Sequence, residues 1–247
     1  MISLPFAAAL STAILSTSFL SGIFGMAGGF ILLGFLLALM PLPAAMVLHG
    51  ITQTTANGWR AFLWRAHIRW GIVGKYAVGA AFATLIFAAA QITPSKPLVL
   101  IMLGLVSLAG LAVPDRLAPN ILRPGQAYVC GAICSALQLL AGVSGPVLDV
   151  YFARSELDRR SVIATKAAVQ MFGHVVKIAY FGRLLIAGEE GVALFAVLLA
   201  IVLAVLGTQL SRRVLDAISD RQFRTWTRGL IAVVASVYLT QGVTLLL

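Results

Sequence analysis

Apolar runs separated by short connections fill almost the whole chain, and this pattern limits the fold more than any other feature. Of the 247 residues, 60% are hydrophobic and 11% charged, with a mean hydropathy of +0.99. A soluble domain carries about 25% charged residues, whereas runs of about 18 apolar residues predict transmembrane helices. We therefore predict an all-α polytopic membrane protein. The runs lie at about 5–22, 29–40, 44–64, 71–91, 97–113, 126–141, 145–153, 161–182, 189–210 and 226–247.

Two of these runs, 29–40 and 145–153, are too short to cross a bilayer alone. At about 1.5 Å per residue they reach only about half of the ~30 Å hydrocarbon core. Each of them follows a glycine-rich break. We interpret each as the return arm of a re-entrant hairpin or as half of a broken helix.

Arginines cluster in four of the connections, and the positive-inside rule predicts that these face the cytoplasm. All four share one side only if 5–40 and 126–153 each enter and leave the membrane on the same face. Each half then contains a hairpin and three crossings, which inverts the halves relative to each other. We expect a cell membrane protein of the bacterial inner membrane with both termini outside. The clusters are Arg65 and Arg69; Arg116 and Arg123; Arg154, Arg159 and Arg160; and Arg212, Arg213, Arg221 and Arg224.

A shift of 117 residues reveals an internal repeat, because it places GMAGG (25–29) on GVSGP (142–146). The same shift aligns two polar stripes with the spacing i, i+4, i+8, i+11, which covers about 80° of a helix face. We predict two inverted repeats, 1–120 and 121–247, in one membrane domain. The stripes are His49, Gln53, Asn57 and Arg60 in the first half and Lys166, Gln170, His174 and Lys177 in the second.

The stretch GVSGP permits another interpretation, a serine nucleophile with a histidine base. An intramembrane serine hydrolase would need Ser144 and His174 within hydrogen-bond distance. The repeat argues against this, because Ala27 and Asn57 stand at the corresponding positions of the first half. A glycine break is needed in both halves, so we expect the glycines of this stretch to interrupt the helix. We do not expect the protein to be an enzyme.

Paired helix breaks in inverted repeats are typical of secondary transporters, whose substrate sites lie near the bilayer midplane. A helix that begins there directs unpaired amides and the positive end of its dipole into the cavity, which suits an anion. Ser144 is a favoured N-cap residue, and Pro146 suits a first helical turn. The predicted substrate-binding residues are Gly25, Gly28, Gly29, Gln53, Asn57, Arg60, Gly142, Ser144, Gly145, Lys166, Gln170, His174 and Lys177.

Some of these residues have structural alternatives. Arg60 and Lys177 also suit snorkelling from helix ends, and so does Lys166 to a lesser degree. Buried Gln, Asn and His side chains also join membrane helices by hydrogen bonds. Asp149, the acid clearly inside an apolar run, is a candidate for proton coupling or for a structural ion pair with Lys166 or a nearby arginine.

No cofactor, metal or nucleic-acid partner is expected. The net charge is +10, but the basic residues lie between apolar runs, where they orient the chain. Cys130 and Cys134, one turn apart in an apolar run, are predicted to be small core residues. His49 and His67 lie near helix ends or in a loop, and we expect neither to belong to the site. The sequence does not specify an oligomeric state.

Three stretches resemble the sulfite exporter TauE/SafE family of membrane permeases: GIFGMAGGFILL, AGVSGPVLDVYF and RRSVIATKAAVQMFGHVVKIAYF. Chain length, spacing and the two glycine motifs fit across nearly the whole chain. The resemblance implies transport of a small sulfur-containing anion, such as sulfite or an organosulfonate like sulfoacetate, usually outward. A permease for another small anion or solute is the alternative.

Overall fold

The computed structural model describes residues 4–24, 27–188, 191–217 and 220–247. Within these residues the chain forms ten α-helices and two short 3-10 turns, without a strand. The prediction of an all-α fold is confirmed. The helices are α1 (Leu4–Phe24), α2 (Ala27–Leu39), α3 (Leu42–Leu63), α4 (Trp70–Ala89), α5 (Lys96–Ala112), α6 (Gln126–Leu140), α7 (Gly145–Ala153), α8 (Arg159–Ala187), α9 (Leu194–Ala217) and α10 (Asp220–Thr244).

The length and composition of the helices agree with a polytopic membrane protein. In the described part of the chain, α1, α4, α8 and residues Leu194–Ser211 of α9 are long and apolar enough to cross a membrane. Helices α2, α5 and α6 are apolar but shorter. Helix α3 has 22 residues but falls outside both groups, because polar side chains lower its hydropathy.

The two predicted breaks are present. Helix α2 begins at Ala27, two residues before the predicted run, and α7 matches the predicted run 145–153. Between α6 and α7, Gly142 has a φ of +76°, a left-handed conformation that glycine adopts without a Cβ penalty. Gly25, in the first break, lies outside the described residues. Helix α1 has 21 residues and α6 has 15, and the re-entrant placement of both hairpins stays a prediction.

The helices pack in an order that relates the two halves of the chain. Helix α3 packs against α8 and α5 against α10, while α1 packs against α9 and α6 against α4. The same four contacts result when each helix is exchanged with the one five positions away along the chain. For example, replacing α1 by α6 and α9 by α4 turns the α1–α9 contact into the α6–α4 contact. A pseudo-two-fold axis between α3 and α8 would produce this pattern. The inverted orientation of the repeats stays a prediction.

Small residues let the outer helix pairs approach closely. A Cβ on Gly79 of α4 would overlap the backbone of Tyr128, and a Cβ on Gly131 of α6 would overlap the backbone of Tyr76. Gly207 of α9 lies against the α1 backbone in the same way. Such contacts are typical of membrane helices, where close packing rather than the hydrophobic effect drives association.

The two largest of three apolar clusters contain most of the buried hydrophobic side chains. The larger contains buried side chains of α2, α3, α5, α8 and α10, and a smaller one joins α4, α6 and α7. Cys130 and Cys134 belong to the smaller cluster, where both are buried and free. Their predicted role as small core residues is confirmed.

Candidate functional site

The polar stripes meet at the centre of the bundle, where α3 packs against α8. His49, Gln53 and Asn57 of α3 are buried, as are His174 and Lys177 of α8. His49 and Lys177 both have an exposed fraction of 0%, so Lys177 does not snorkel to the membrane surface. The buried polar residues fall into two clusters.

The first cluster, called the Lys177 cluster here, consists of His49, Gln138, Ser144, His174 and Lys177. Lys177 Nζ contacts His49 Nδ1 and donates to the Gly142 carbonyl at 3.0 Å. On the other side of the ring, His49 Nε2 lies 2.9 Å from the Gly29 carbonyl. Lys177 therefore connects α8 to α3 and to the break before α7. His49 connects α3 to the first turn of α2.

Gln138 of α6 completes this network. Its Nε2 donates to the Gly142 carbonyl at 3.1 Å and lies 2.8 Å from His174 Nδ1. Its Oε1 accepts from the Ser144 hydroxyl at 3.1 Å. The His49 and His174 rings meet edge to face with centroids 5.4 Å apart. Both amide hydrogens and the amide oxygen of Gln138 thus have partners.

Ser144 occupies the N-cap position of α7, but its side chain makes no capping hydrogen bond. The prediction of a capping side chain is therefore wrong, because the hydroxyl donates to Gln138 on α6 instead. Gln138 also stands between Ser144 and His174, since it bonds to both. Among the described residues, the Ser144–His174 hydrogen bond that a serine hydrolase would use is not formed.

The second cluster, called the Gln53 cluster, consists of Ser21, Gly28, Gly29, Gln53, Asn57 and Arg60. Gly28 and Gly29 belong to the first turn of α2, and a Cβ on Gly29 would come within 2.8 Å of the Gln53 amide. Gln53 is 4% exposed, yet its Nε2 has no hydrogen-bond partner in the described part of the chain. The same holds for the buried hydroxyl of Ser21, which lies against Gly28.

Arg60, half-buried, holds the other side of the Gln53 cluster. Its Nη2 donates to the Ser21 carbonyl at 2.7 Å, and its Nη1 lies 3.4 Å from Asn57 Oδ1. Asn57 Nδ2 donates to the Gln53 carbonyl at 2.9 Å. These bonds orient Arg60 and Asn57 while the Gln53 amide hydrogens and the Ser21 hydroxyl keep their capacity to donate.

The electrostatics of the Gln53 cluster suit an anion. Arg60 supplies positive charge, and the N-terminus of α2 adds the positive end of the helix dipole. Lys166 lies close enough to Arg60 for their charges to repel, and it forms an ion pair with Asp149 of α7. The Lys166 and Asp149 side chains are 23% and 40% exposed. This pair is one of the two arrangements that the sequence left open for Asp149.

The predicted site residues are thus distributed over the two clusters. Gly28, Gly29, Gln53, Asn57 and Arg60 belong to one, while Gly142, Ser144, His174 and Lys177 belong to or contact the other. The clusters touch through Gly29, whose Cα faces Gln53 and whose carbonyl faces His49. Gln170 is half-buried without a hydrogen-bond partner among the described residues, Gly145 is the first residue of α7, and Gly25 lies outside the described residues.

Sequence reasoning missed three members of the clusters. His49 was expected to have no site role, and Ser21 and Gln138 were not identified. A signal for the last two was present, because the 117-residue shift that aligns the glycine motifs also places Ser21 on Gln138. His49 already belonged to the polar stripe, and it lies about two turns into α3 rather than near the helix end.

A bundle of apolar helices with buried polar clusters at two helix breaks is the architecture of a membrane permease. A family model described as "Sulfite exporter TauE/SafE" matches residues 10–238. The chain therefore belongs to the TauE/SafE family of membrane permeases, as its resemblance to that family indicated. No curated protein and no solved structure matched the chain in the same comparisons.

Proposed function

We propose that this protein is a secondary permease that moves a small sulfur-containing anion, such as sulfite or an organosulfonate, across the cell membrane. Membership of the TauE/SafE family supports this class of substrate. The direction that we propose is export, with both termini on the outer side. Alternating access would occur by movement of the two halves relative to each other around the α3–α8 contact.

We place the substrate in the Gln53 cluster. The observation that carries this assignment is the Gln53 Nε2 atom, which is buried beside the start of α2 without a partner among the described residues. A buried unsatisfied amide costs about 1–3 kcal/mol, so a ligand oxygen at this position would recover a hydrogen bond that the protein leaves unmade.

The chemistry of the Gln53 cluster selects an oxyanion over a cation. Amides of Gly28 and Gly29, the Ser21 hydroxyl and the Gln53 amide are all donors, and Arg60 is a guanidinium that binds planar or tetrahedral oxyanions. A sulfite or sulfonate group presents three oxygens to such donors. The Lys166–Asp149 ion pair supplies a further positive group near Arg60 with its charge compensated.

The residues of the second half have a different role in this proposal. Hydrogen bonds within the Lys177 cluster already engage Gln138, Ser144 and Lys177. We therefore assign Ser144, His174 and Lys177 to the connection between the halves rather than to first contact with the substrate. Gly145 stays a candidate for contact with the anion after the site opens to the other side, whereas Gln170, which lies outside both clusters, is assigned no contact with it.

The test is uptake of radiolabelled sulfite into proteoliposomes, with protein-free liposomes as the background. A membrane potential and a pH gradient are imposed in turn, and thiosulfate, sulfoacetate and sulfate serve as competitors. We expect saturable uptake that one competitor blocks. Uptake of none of these anions by folded protein would refute the sulfur-anion assignment.

Gln53→Leu is the site variant for this assay, and Gln170→Leu is its matched control. Both replace a glutamine at the same position of a polar stripe, but only Gln53 is buried against a glycine of a helix start. We expect Gln53→Leu to reduce the apparent affinity for sulfite about 10-fold, the value of one hydrogen bond to a charged group. Equal losses in both variants would contradict placement of the substrate in the Gln53 cluster.

A further inference from the structure

Lys177 is a buried lysine whose described partners include no carboxylate. Its Nζ contacts His49 Nδ1 and the Gly142 carbonyl, and its exposed fraction is 0%. Asp149, the acid within the short arm α7, is already engaged by Lys166. Ionisable residues inside membrane bundles are costly and mark ion or proton pathways. The burial of Lys177 without a carboxylate partner among the described residues therefore indicates a function beyond a structural hydrogen bond.

The hydrogen bonds fix the tautomer of neutral His49. The Gly29 carbonyl is an acceptor only, so His49 Nε2 carries a hydrogen and donates to it. In the neutral imidazole Nδ1 is then an acceptor, and it receives a hydrogen from Lys177. A second proton on His49 would turn Nδ1 into a donor that faces the lysine. Only a neutral Lys177 amine can accept that hydrogen, so the hydrogen-bonded pair holds at most one excess proton and a second excess proton breaks the contact.

We propose that His49 and Lys177 form a proton-binding site that takes up and releases one proton in each transport cycle. This inference rests on the proposed function, since it assigns the energy coupling of the same permease. It replaces Asp149, the candidate from the sequence, with a pair that is fully enclosed.

The contacts of the pair explain how a proton would affect the substrate. The Gly29 carbonyl accepts the hydrogen bond from His49, and the Gly29 Cα lies against the Gln53 amide of the proposed anion site. Lys177 reaches the carbonyl of Gly142 at the other helix break. A proton that separates His49 from Lys177 therefore breaks a contact between the two halves. Gly29 lies between this contact and the proposed anion site.

Few other ionisable groups face the pair. From α8, His174 meets the His49 ring edge to face, and its Nδ1 is held by the amide of Gln138 from α6. Helix α2 contributes the Gly29 carbonyl, and the α6–α7 connection contributes the Gly142 carbonyl. Among the described residues, Lys177 and His174 are the charged or titratable groups that act on His49.

The key variant is His49→Gln, because glutamine keeps a donor for Gly29 and an acceptor for Lys177 but does not titrate. The probe is radiolabelled sulfoacetate, whose charge is constant near neutral pH. In proteoliposomes we expect the wild type to accumulate it when a pH gradient is imposed. His49→Gln should lose this accumulation at least 10-fold while it exchanges internal for external sulfoacetate within 3-fold of the wild type. His67→Gln, outside the clusters, is the control and should retain both activities.

Gradient-driven accumulation by His49→Gln equal to the wild type would overturn the proposal, as would a wild type that does not respond to the pH gradient. A second measurement does not depend on the substrate. The chain has three histidines, so ¹⁵N-histidine spectra of the protein in nanodiscs resolve His49, with the His→Gln variants as assignments. We expect the Nε2–H tautomer at neutral pH.

In the same spectra, the pH at which His49 takes up a proton should differ between the wild type and Lys177→Met by at least about one unit, a tenfold change in proton affinity. Identical titrations would show that the two residues do not share a proton and would refute the pair. If none of the sulfur anions is transported, the proposed function fails while these spectra still decide the fate of the proton site.

Discussion

The two polar clusters occupy related places in the two halves but differ in how completely their hydrogen bonds are made. In the Lys177 cluster, Gln138, Ser144, His49 and Lys177 donate to or accept from one another or from carbonyls at the helix breaks. In the Gln53 cluster, the Gln53 amide and the Ser21 hydroxyl have no partner among the described residues. The hydrogen bonds of the Lys177 cluster are made within the protein, whereas the Gln53 cluster keeps unpaired donors.

The same difference extends to the neighbouring helices. Ser135 of α6 hydrogen-bonds Thr84 of α4 at 2.9 Å. Its counterpart by the 117-residue shift, Ser18 of α1, has no described partner, although α1 packs against α9 as α6 packs against α4. The buried side-chain atoms without a described partner all lie on α1, α3 and α9: Ser18 Oγ, Ser21 Oγ, Gln53 Nε2, Thr54 Oγ1 and Thr208 Oγ1.

This comparison teaches that a repeated fold need not bind its substrate symmetrically. A buried polar group without a partner is destabilising, and a protein tolerates several of them where a ligand or water completes the set. We infer that the α1–α3–α9 side holds the anion. On α4, α6 and α8, no fully buried side-chain polar atom of the described residues lacks a partner.

Arg60→Met should have the largest effect on transport, because it removes the positive charge of the Gln53 cluster. Loss of a charged hydrogen-bond partner is expected to reduce sulfite uptake about 100-fold. Arg65→Met is the matched control, since Arg65 is an exposed arginine just beyond the end of α3 that donates to the Phe62 carbonyl. Initial rates of uptake in proteoliposomes measure both. Retention of uptake by Arg60→Met would remove Arg60 from the substrate site.

Gly28→Ala should have the next largest effect, this time on stability. A Cβ at this position would overlap the Thr17 carbonyl and the Ser21 amide nitrogen, both of them backbone atoms of α1. Overpacking of this kind costs about 1–3 kcal/mol. Unfolding in detergent micelles titrated with SDS measures the change. Gly74→Ala, where a Cβ meets nothing within 4 Å, is the control and should be neutral; comparable destabilisation of both would contradict the close α1–α2 contact.

Ser144→Ala tests the Lys177 cluster and should have a small effect on stability and transport. It removes the donor to Gln138 Oε1, which costs about 1 kcal/mol of stability. Because we assign Ser144 to the connection between the halves rather than to substrate contact, sulfite uptake should stay within about 3-fold of the wild type. Complete loss of uptake in a folded Ser144→Ala protein would instead point to a chemical role for the hydroxyl, as in the serine hydrolase alternative.

Much of the fold could be predicted because its signals are local. The apolar runs and the glycine motifs located the helices and both breaks, and the bounds of α7 agree with the run 145–153. The polar stripes also identified the buried faces of α3 and α8. Periodicity of this kind depends only on the geometry of a single helix, which the sequence displays directly.

The division into two clusters could not be predicted, because it depends on which helix lies opposite each polar group. Ser144 and Gln53 are both polar residues at or beside a helix break, yet only Ser144 finds a partner, Gln138 on α6. His49 shows the same limit, since its burial follows from the approach of α2 and α8 to one side of α3. Such partners become visible only when the helices are assembled.

Asp158→Ala should have the smallest effect, and it tests a difference between the starts of the two central helices. Helix α3 begins after Pro41 without a side-chain cap, whereas α8 begins after its N-cap residue Asp158, which accepts hydrogen bonds from the hydroxyl and amide of Ser161. These bonds, the hydroxyl first, lower the pKa of Asp158 below its ordinary value of 3.8. A carboxylate with a lowered pKa stabilises the fold above that ordinary value, and the contribution is lost as the pH falls through the folded pKa.

The thermal unfolding midpoint of the detergent-solubilised protein provides the measurement. At pH 7 we expect Asp158→Ala to unfold a few degrees below the wild type, since it loses the N-cap of α8. The difference should shrink as the pH is taken below 3.8 and the wild-type carboxylate becomes protonated. Glu156→Ala removes another exposed carboxylate from the same connection without touching the cap and should leave the midpoint at pH 7 unchanged. A constant difference between Asp158→Ala and the wild type at all pH values would show that the ionised cap does not stabilise the start of α8.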